Sequence, residues 1–216
     1  MPASPLMDPA PWAADGLSNE AGKPIIAIIY SDSEAADEAL RSIALRLLDR
    51  GCRLAGLVQH NRPRPGRSRC DMVLEELASG DLVPISQDRG PEAKGCALVL
   101  DQLLKAMQIV RAALPTRPDL VIVNKFGKTE AEGGGFRTLI AEAMELAIPV
   151  LVAVPFRNID QWHAFAGPCA REIELQSSEH TVEMVCAVVL RDRPCRVEPY
   201  DRRDQAPKVQ KDAEAM

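Results

Sequence analysis

The densest concentration of reactive side chains lies in Asn124–Arg137, NKFGKTEAEGGGFR. It contains Asn124, two lysines (Lys125, Lys128), two carboxylates (Glu130, Glu132), three consecutive glycines (Gly133, Gly134, Gly135) and Arg137. Lysine and arginine offer charge and N–H donors to an oxyanion, and glycine lets backbone amides approach it closely. The segment leaves an apolar run that reads as a strand and enters a helix, whose N-terminal amides and dipole favour an anion. The bland alternative is a solvated loop closed by Lys–Glu pairs. The density of glycine and charge at this point weighs toward ligand binding.

A second segment, Gln59–Cys70 (QHNRPRPGRSRC), also follows a strand. Its arginines, Arg67 and Arg69 among them, have the fork geometry that clamps phosphate-like groups, and they serve equally well as an exposed basic loop with weak surface pairs. His60 is the one histidine placed directly after a strand. The first strand-to-helix turn, Tyr30–Asp37, is where nucleotide-binding α/β proteins carry G-x-x-x-x-G-K-[ST]. Here that turn has no glycine, no lysine and three acidic residues. Asp and Ser at such a turn are helix caps first, which counts against tight triphosphate binding.

No G-x-S-x-G elbow exists, and His163 sits beside Trp162 and Phe165 in a setting that suggests packing. The six cysteines form no C-x-x-C pair, and the three histidines lie far apart, so no metal ligands are assigned. Buried free thiols are the expected state of the cysteines. A metal-chaperone or redox role would fall on Cys70 and Cys96 with His60. No catalytic residue and no cofactor is specified.

The elements that must position these residues alternate between strand and helix. Pro24–Tyr30, Arg53–Gln59, Asp119–Asn124 and Pro149–Pro155 are apolar runs of the kind covered on both faces. Cys70–Leu77 and Leu82–Gln87 read as a hairpin turning at Ser79-Gly80-Asp81, and Glu172–Leu175 as a last short strand. Ser31–Arg50, Ala97–Leu114, Phe136–Ala147, Asn158–Ala166 and Ser178–Leu190 carry helical apolar stripes. The expected fold is α/β: a mainly parallel sheet covered by helices on both faces, with a small hairpin insertion. Ligands in such folds sit at the carboxyl ends of the strands.

Residues 23–191 are expected to form one α/β domain. Residues 1–22 and 192–216, rich in Pro, Ala and mixed charge, are expected to stay disordered. Twenty-six Lys and Arg against thirty-one Asp and Glu give a net charge of −5, which argues against a nucleic-acid partner. The longest apolar runs fall far short of the roughly 20 residues a bilayer requires, and the first residues lack the pattern of a secretory signal. A cytoplasmic location is expected, and a homodimer is the commonest assembly for such a chain.

Several of these segments, GLVQH, CDMVLEELASGDLVPISQD, GCALVLDQ, PDLVIVNKFGKTEAEGGGFR, AIPVLVAVP and WHAFAG, together resemble an uncharacterised bacterial family, domain-of-unknown-function family 2478. The string NKFGK-x-EAEG is its most specific mark, and the resemblance covers about residues 24–175. More distantly, the layout is similar to P-loop nucleoside-triphosphatases of the thermophilic, cancer-related type. Alignment of DLVIVNK with that group's D-L-[IV]-[IV]-[IV]-D-E strand puts its Mg²⁺-handling Asp-Glu on Asn124 and Lys125. The phosphate-loop lysine has no counterpart near Tyr30–Asp37. Phosphoryl transfer needs both groups to neutralise developing charge, and losing one such contact typically costs on the order of 10²–10³-fold in rate.

The sequence therefore leads to a non-catalytic binding or regulatory protein on a degenerate P-loop NTPase-like scaffold. Its partner would be a small anion, an oxyanion or a phosphorylated molecule such as a nucleotide, held by the Asn124–Arg137 residues. The family resemblance implies a link to molybdenum uptake and nitrogenase functions, hence molybdate or tungstate. The alternative is an atypical nucleoside-triphosphatase or phosphoryl-transfer enzyme, with Glu130 or Glu132 as base.

Overall fold

The computed structural model describes residues 24–62, 70–86 and 99–192. The elements in chain order are β1 (Ile25–Tyr30), α1 (Ser33–Leu48), β2 (Leu54–Arg62), β3 (Asp71–Glu76), β4 (Leu82–Pro84), α2 (Leu100–Ala113), β5 (Leu120–Val123), α3 (Lys128–Ala131), α4 (Arg137–Glu145), β6 (Val150–Pro155), α5 (Ile159–Ala166), β7 (Ala170–Glu174) and α6 (Ser178–Asp192). The strands make one sheet in the order β4-β3-β2-β5-β6-β1-β7. Strands β2, β5, β6, β1 and β7 run parallel, whereas β3 is antiparallel to both β2 and β4. This is the α/β class expected, with the hairpin extending one edge.

Helices cover both faces because the central parallel strands β1, β5 and β6 are apolar on both sides. Along β1, Ile25 and Ala27 enter the core under α2, α4 and α5, while Ile26, Ile28 and Tyr30 enter the core under α1 and α6. Strand β1 and its neighbour β6 send their connections to opposite faces, α1 to one and α5 to the other. Open α/β sheets place their ligands outside the carboxyl ends of two such strands.

Gly56 determines how β2 meets β5. Its φ is +116°, and a Cβ there would lie 2.0 Å from the Ile122 carbonyl oxygen. Only glycine permits that approach. Up to Gly56 strand β2 pairs with β5, and from Leu57 it pairs with β3.

Three details depart from expectation. Strand β2 continues past Gln59 to Arg62, because its antiparallel ladder with β3 runs on (His60 opposite Val73, Arg62 opposite Asp71) after the apolar run has ended. Strand β7 begins at Ala170, paired with Ile25. Cys52, fully buried, is disulfide-bonded and not the free thiol expected, while Cys70 and Cys186 are free thiols. No helix among the described residues is long and apolar enough to cross a membrane.

Candidate functional site

The turn between β1 and α1 is two residues long, Ser31 and Asp32. Asp32 caps the helix: its Oδ1 accepts from the Glu34 amide at 2.9 Å and the Ala35 amide at 3.3 Å. The positive end of α1 is thereby met by a carboxylate of the chain itself. One turn further on, Asp37 lies on the buried stripe of α1 with Leu40 and Ala44 and is 3% exposed.

Around Asp37 the carboxyl ends of β2 and β5 gather a polar cluster. Asp37 Oδ2 accepts from Asn61 Nδ2 at 3.0 Å and Gln59 Nε2 at 3.3 Å. Asp37 Oδ1 lies 3.4 Å from Asn124 Nδ2 and 3.9 Å from Lys125 Nζ. The amides also tie to one another: Gln59 Nε2 donates to Asn61 Oδ1 at 2.8 Å, and the Gln59 backbone N–H donates to Asn124 Oδ1 at 3.0 Å. Arg41 of α1 donates to the Gln59 carbonyl at 2.7 Å. Tyr30 stands at the edge of this cluster. Burial pushes its phenol pKa up, a hydrogen bond to Ser33 opposes the shift, and the nearby Asp37 charge adds to it.

The expected ligand-binding residues fall into groups with different surroundings. Asn124 is buried in the cluster just described, and Lys125 is partly exposed at its mouth. Glu130 is buried, with Oε2 accepting from the Gly127 amide at 2.8 Å and Oε1 from the Phe136 amide at 2.9 Å. Of the glycine run, Gly135 lies against this carboxylate. At Gly135, φ is +59° and a Cβ would sit 1.9 Å from Glu130 Oε1. Gly133 also has positive φ, at +98°, whereas Gly134 does not, and a Cβ on Gly134 would find ordinary contacts at 3.5 Å. Arg137 lies 4.6 Å over the Phe165 ring and donates to the Glu130 carbonyl at 3.4 Å. Phe165 in turn stacks on Phe126, which meets Trp162 edge-on. Lys128 and Glu132 form an exposed pair at 3.6 Å along α3, a short helix that the sequence did not reveal.

His60 Nε2 lies 2.8 Å from Glu75 Oε2 across the β2–β3 pair, away from the Asp37 cluster's contacts. Arg67, Arg69 and Cys96 lie outside the described residues. Among the described residues no group of three or more His, Cys, Asp or Glu side chains could hold a metal ion. His163 is exposed and paired with Glu172 at 3.0 Å, so packing does not explain it as its sequence neighbours suggest.

Sequence reasoning missed Asp37, Gln59 and Asn61 as site residues. For Asp37 a signal existed: it falls three and seven residues before Leu40 and Ala44, on the apolar stripe of the helix. A carboxylate on a buried stripe requires partners.

The sheet order and the opposite-face connections of β1 and β6 are those of a P-loop NTPase-like α/β protein, with its charges exchanged. The carboxylate sits on the helix after the first strand and the amine sits at the end of β5. Residues 25–183 match the model of a family described as Protein of unknown function (DUF2478), and the chain belongs to it. A stretch of 143 residues, 66% of the chain, is 34% identical to Molybdenum import ATP-binding protein ModC 2 of Bradyrhizobium diazoefficiens. The matched stretch covers 16% of that protein's length. No solved structure matches the chain.

Proposed function

We propose that this protein is a non-catalytic binding or regulatory module that takes a small oxyanion or phosphorylated molecule at the crevice beside Lys125. The observation carrying this reading is the start of α1, where Asp32 caps the β1–α1 turn and Asp37 follows one turn on, two carboxylates on the ground a triphosphate would need. A phosphate oxygen about 4 Å from one such carboxylate meets repulsion of about 4 kcal/mol at an effective dielectric of 20. That is close to a thousandfold in affinity at about 1.4 kcal/mol per decade. Among the described residues the β1–α1 turn also has no lysine, and Asn124 and Lys125 stand at the end of β5 where phosphoryl transfer would use metal-holding carboxylates.

An anion approaching from the rim meets better conditions. Lys125 is about one-third exposed, and Lys128 is nearly fully so. The molybdenum named for the Bradyrhizobium relative supports molybdate and tungstate as first candidates, in a cytoplasmic setting linked to metal uptake. Nucleotide binding with turnover is the second reading, favoured by the ATP binding in that same name. Glu132, exposed at the C-cap of α3, would then be the available base, since Glu130 holds two amides.

Isothermal titration with molybdate, tungstate, sulfate, phosphate, ATP and GTP, each with and without Mg²⁺, tests this. The expected result is Mg²⁺-independent binding of an oxyanion, weakened at least tenfold in Lys125→Ala. Mg²⁺-dependent nucleotide binding with phosphate release overturns it in favour of the second reading.

A further inference from the structure

We propose that Gln59, Asn61, Asn124 and Lys125 form a preformed receptor for a carboxylate-sized anion, and that Asp37 is its resident, intramolecular guest. Three side-chain amides aim N–H groups at one carboxylate, and the ammonium of Lys125 completes the set. A carboxylate only 3% exposed is ordinarily matched by a closely placed cation. Here the cation stands off at 3.9 Å, and neutral N–H dipoles do most of the holding. Such a donor set recognises an anion by geometry more than by net charge, and it lies at the strand ends where this fold class binds ligands.

The two oxygens of Asp37 are not held alike. Oδ2 has donors at 3.0 and 3.3 Å, while Oδ1 has them at 3.4 and 3.9 Å. The loosely held oxygen faces Lys125, one of two members of the set that reach the surface; the other, the exposed Asn61, holds Oδ2. An outside anion that takes Lys125 competes with Oδ1 and leaves Oδ2 in place. Asp37 thus lowers the affinity of the crevice for outside anions. This affinity statement rests on the binding reading above; the receptor statement does not.

Two variants separate the statements. Asp37→Ala removes the carboxylate and leaves the donors, and formate is the group removed. Formate at tens to hundreds of millimolar is expected to raise the melting temperature of Asp37→Ala by several degrees more than chloride at equal ionic strength. The wild type should respond to both salts alike. Equal responses of Asp37→Ala to formate and chloride overturn the receptor. Asp37→Asn is nearly isosteric, and amides around it can rotate to suit, so it serves if the alanine variant does not fold. It is expected to bind molybdate or phosphate at least tenfold more tightly than wild type. Affinity in Asp37→Asn equal to a measurable wild-type affinity overturns the competition. Formate rescue of Asp37→Ala with no anion binding by either wild type or Asp37→Asn keeps the receptor and removes the proposed function.

Discussion

Two connections leave the carboxyl end of the same sheet and have opposite characters. The turn from β1 to α1 is two residues long, has no glycine, and is closed by Asp32 over the helix amides. The connection from β5 to α4 carries four glycines and two lysines, yet its buried carboxylate, Glu130, also spends itself on backbone amides. In both places the chain supplies its own anion where a ligand's would go. They differ in what is left over: the two-residue turn of the first holds no lysine or arginine, whereas Lys125 and Lys128 stay on the rim of the second. Glycine runs and helix starts therefore reveal where backbone amides are available, and only the side chains around them reveal who takes them.

The largest effect should come from Glu130→Ala. It strips partners from the Gly127 and Phe136 amides, the latter buried, and hydrogen bonds to a charged acceptor contribute about 1.5–3 kcal/mol each. A loss of about 3 kcal/mol in urea unfolding is expected, since the two bonds share one side chain. A loss under about 1 kcal/mol would mean that Glu130 is free for a ligand after all, and the contrast between the two connections would collapse.

Next comes the glycine run, where the comparison can be sharpened residue by residue. Gly135→Ala places a Cβ against Glu130 Oε1 at a positive φ, and about 2 kcal/mol of destabilisation is expected. Gly134→Ala, with ordinary contacts and no positive φ, should stay within about 0.5 kcal/mol of wild type. If the glycines instead cradled a ligand, both variants would keep their stability and lose anion affinity together. Parallel titration and unfolding of the two variants distinguish the cases.

These same residues mark how far the sequence could be read. Unbroken β-branched runs such as IIAIIY gave strands buried on both faces, and the α1 stripe gave its helix, because burial pattern and local propensity agree there. The carboxyl-end position of Asn124 and Lys125 followed from the fold class. What the sequence withheld was partnership. The Glu130 carboxylate turns back onto amides three residues before it and six after it, and no charge count distinguishes that from a carboxylate aimed outward. The Asp37 cluster joins residues 22, 24 and 87 positions apart in the chain, and only the strand order β2-β5-β6-β1 brings them together. The register extension of β2 to Arg62 had the same origin: a partner strand prolonged a ladder that the apolar pattern had already ended.

A smaller effect tests the closed turn. Asp32→Ala removes an exposed N-cap and should cost about 1 kcal/mol, checked by thermal unfolding. It also frees two amides at the positive end of α1. If closure by carboxylates is what keeps phosphate from this turn, phosphate should stabilise Asp32→Ala more than it stabilises wild type. Equal responses to phosphate would show that Asp32 is a cap and nothing more, leaving Asp37 alone to account for the closed character of this end.

The smallest effect at neutral pH belongs to Tyr30→Phe, and it appears only in alkali. Burial chiefly raises the Tyr30 phenol above its ordinary value of about 10. The folded chain therefore retains this proton where the unfolded chain has lost it. The resulting contribution to stability is fully present below the unfolded value, and it is lost as pH rises from there through the folded one. Cys186, also raised by burial, titrates on the same limb in both proteins, so the difference between the two curves isolates Tyr30. Melting temperatures measured from pH 7 to 11 should coincide at first and then diverge, with the wild type falling more steeply above about pH 10. Because Asp37 adds to the raising of Tyr30, Asp37→Asn should narrow that divergence. Parallel curves for Tyr30→Phe and wild type throughout would place the phenol in water, and with it the wall of the crevice on the β1 side.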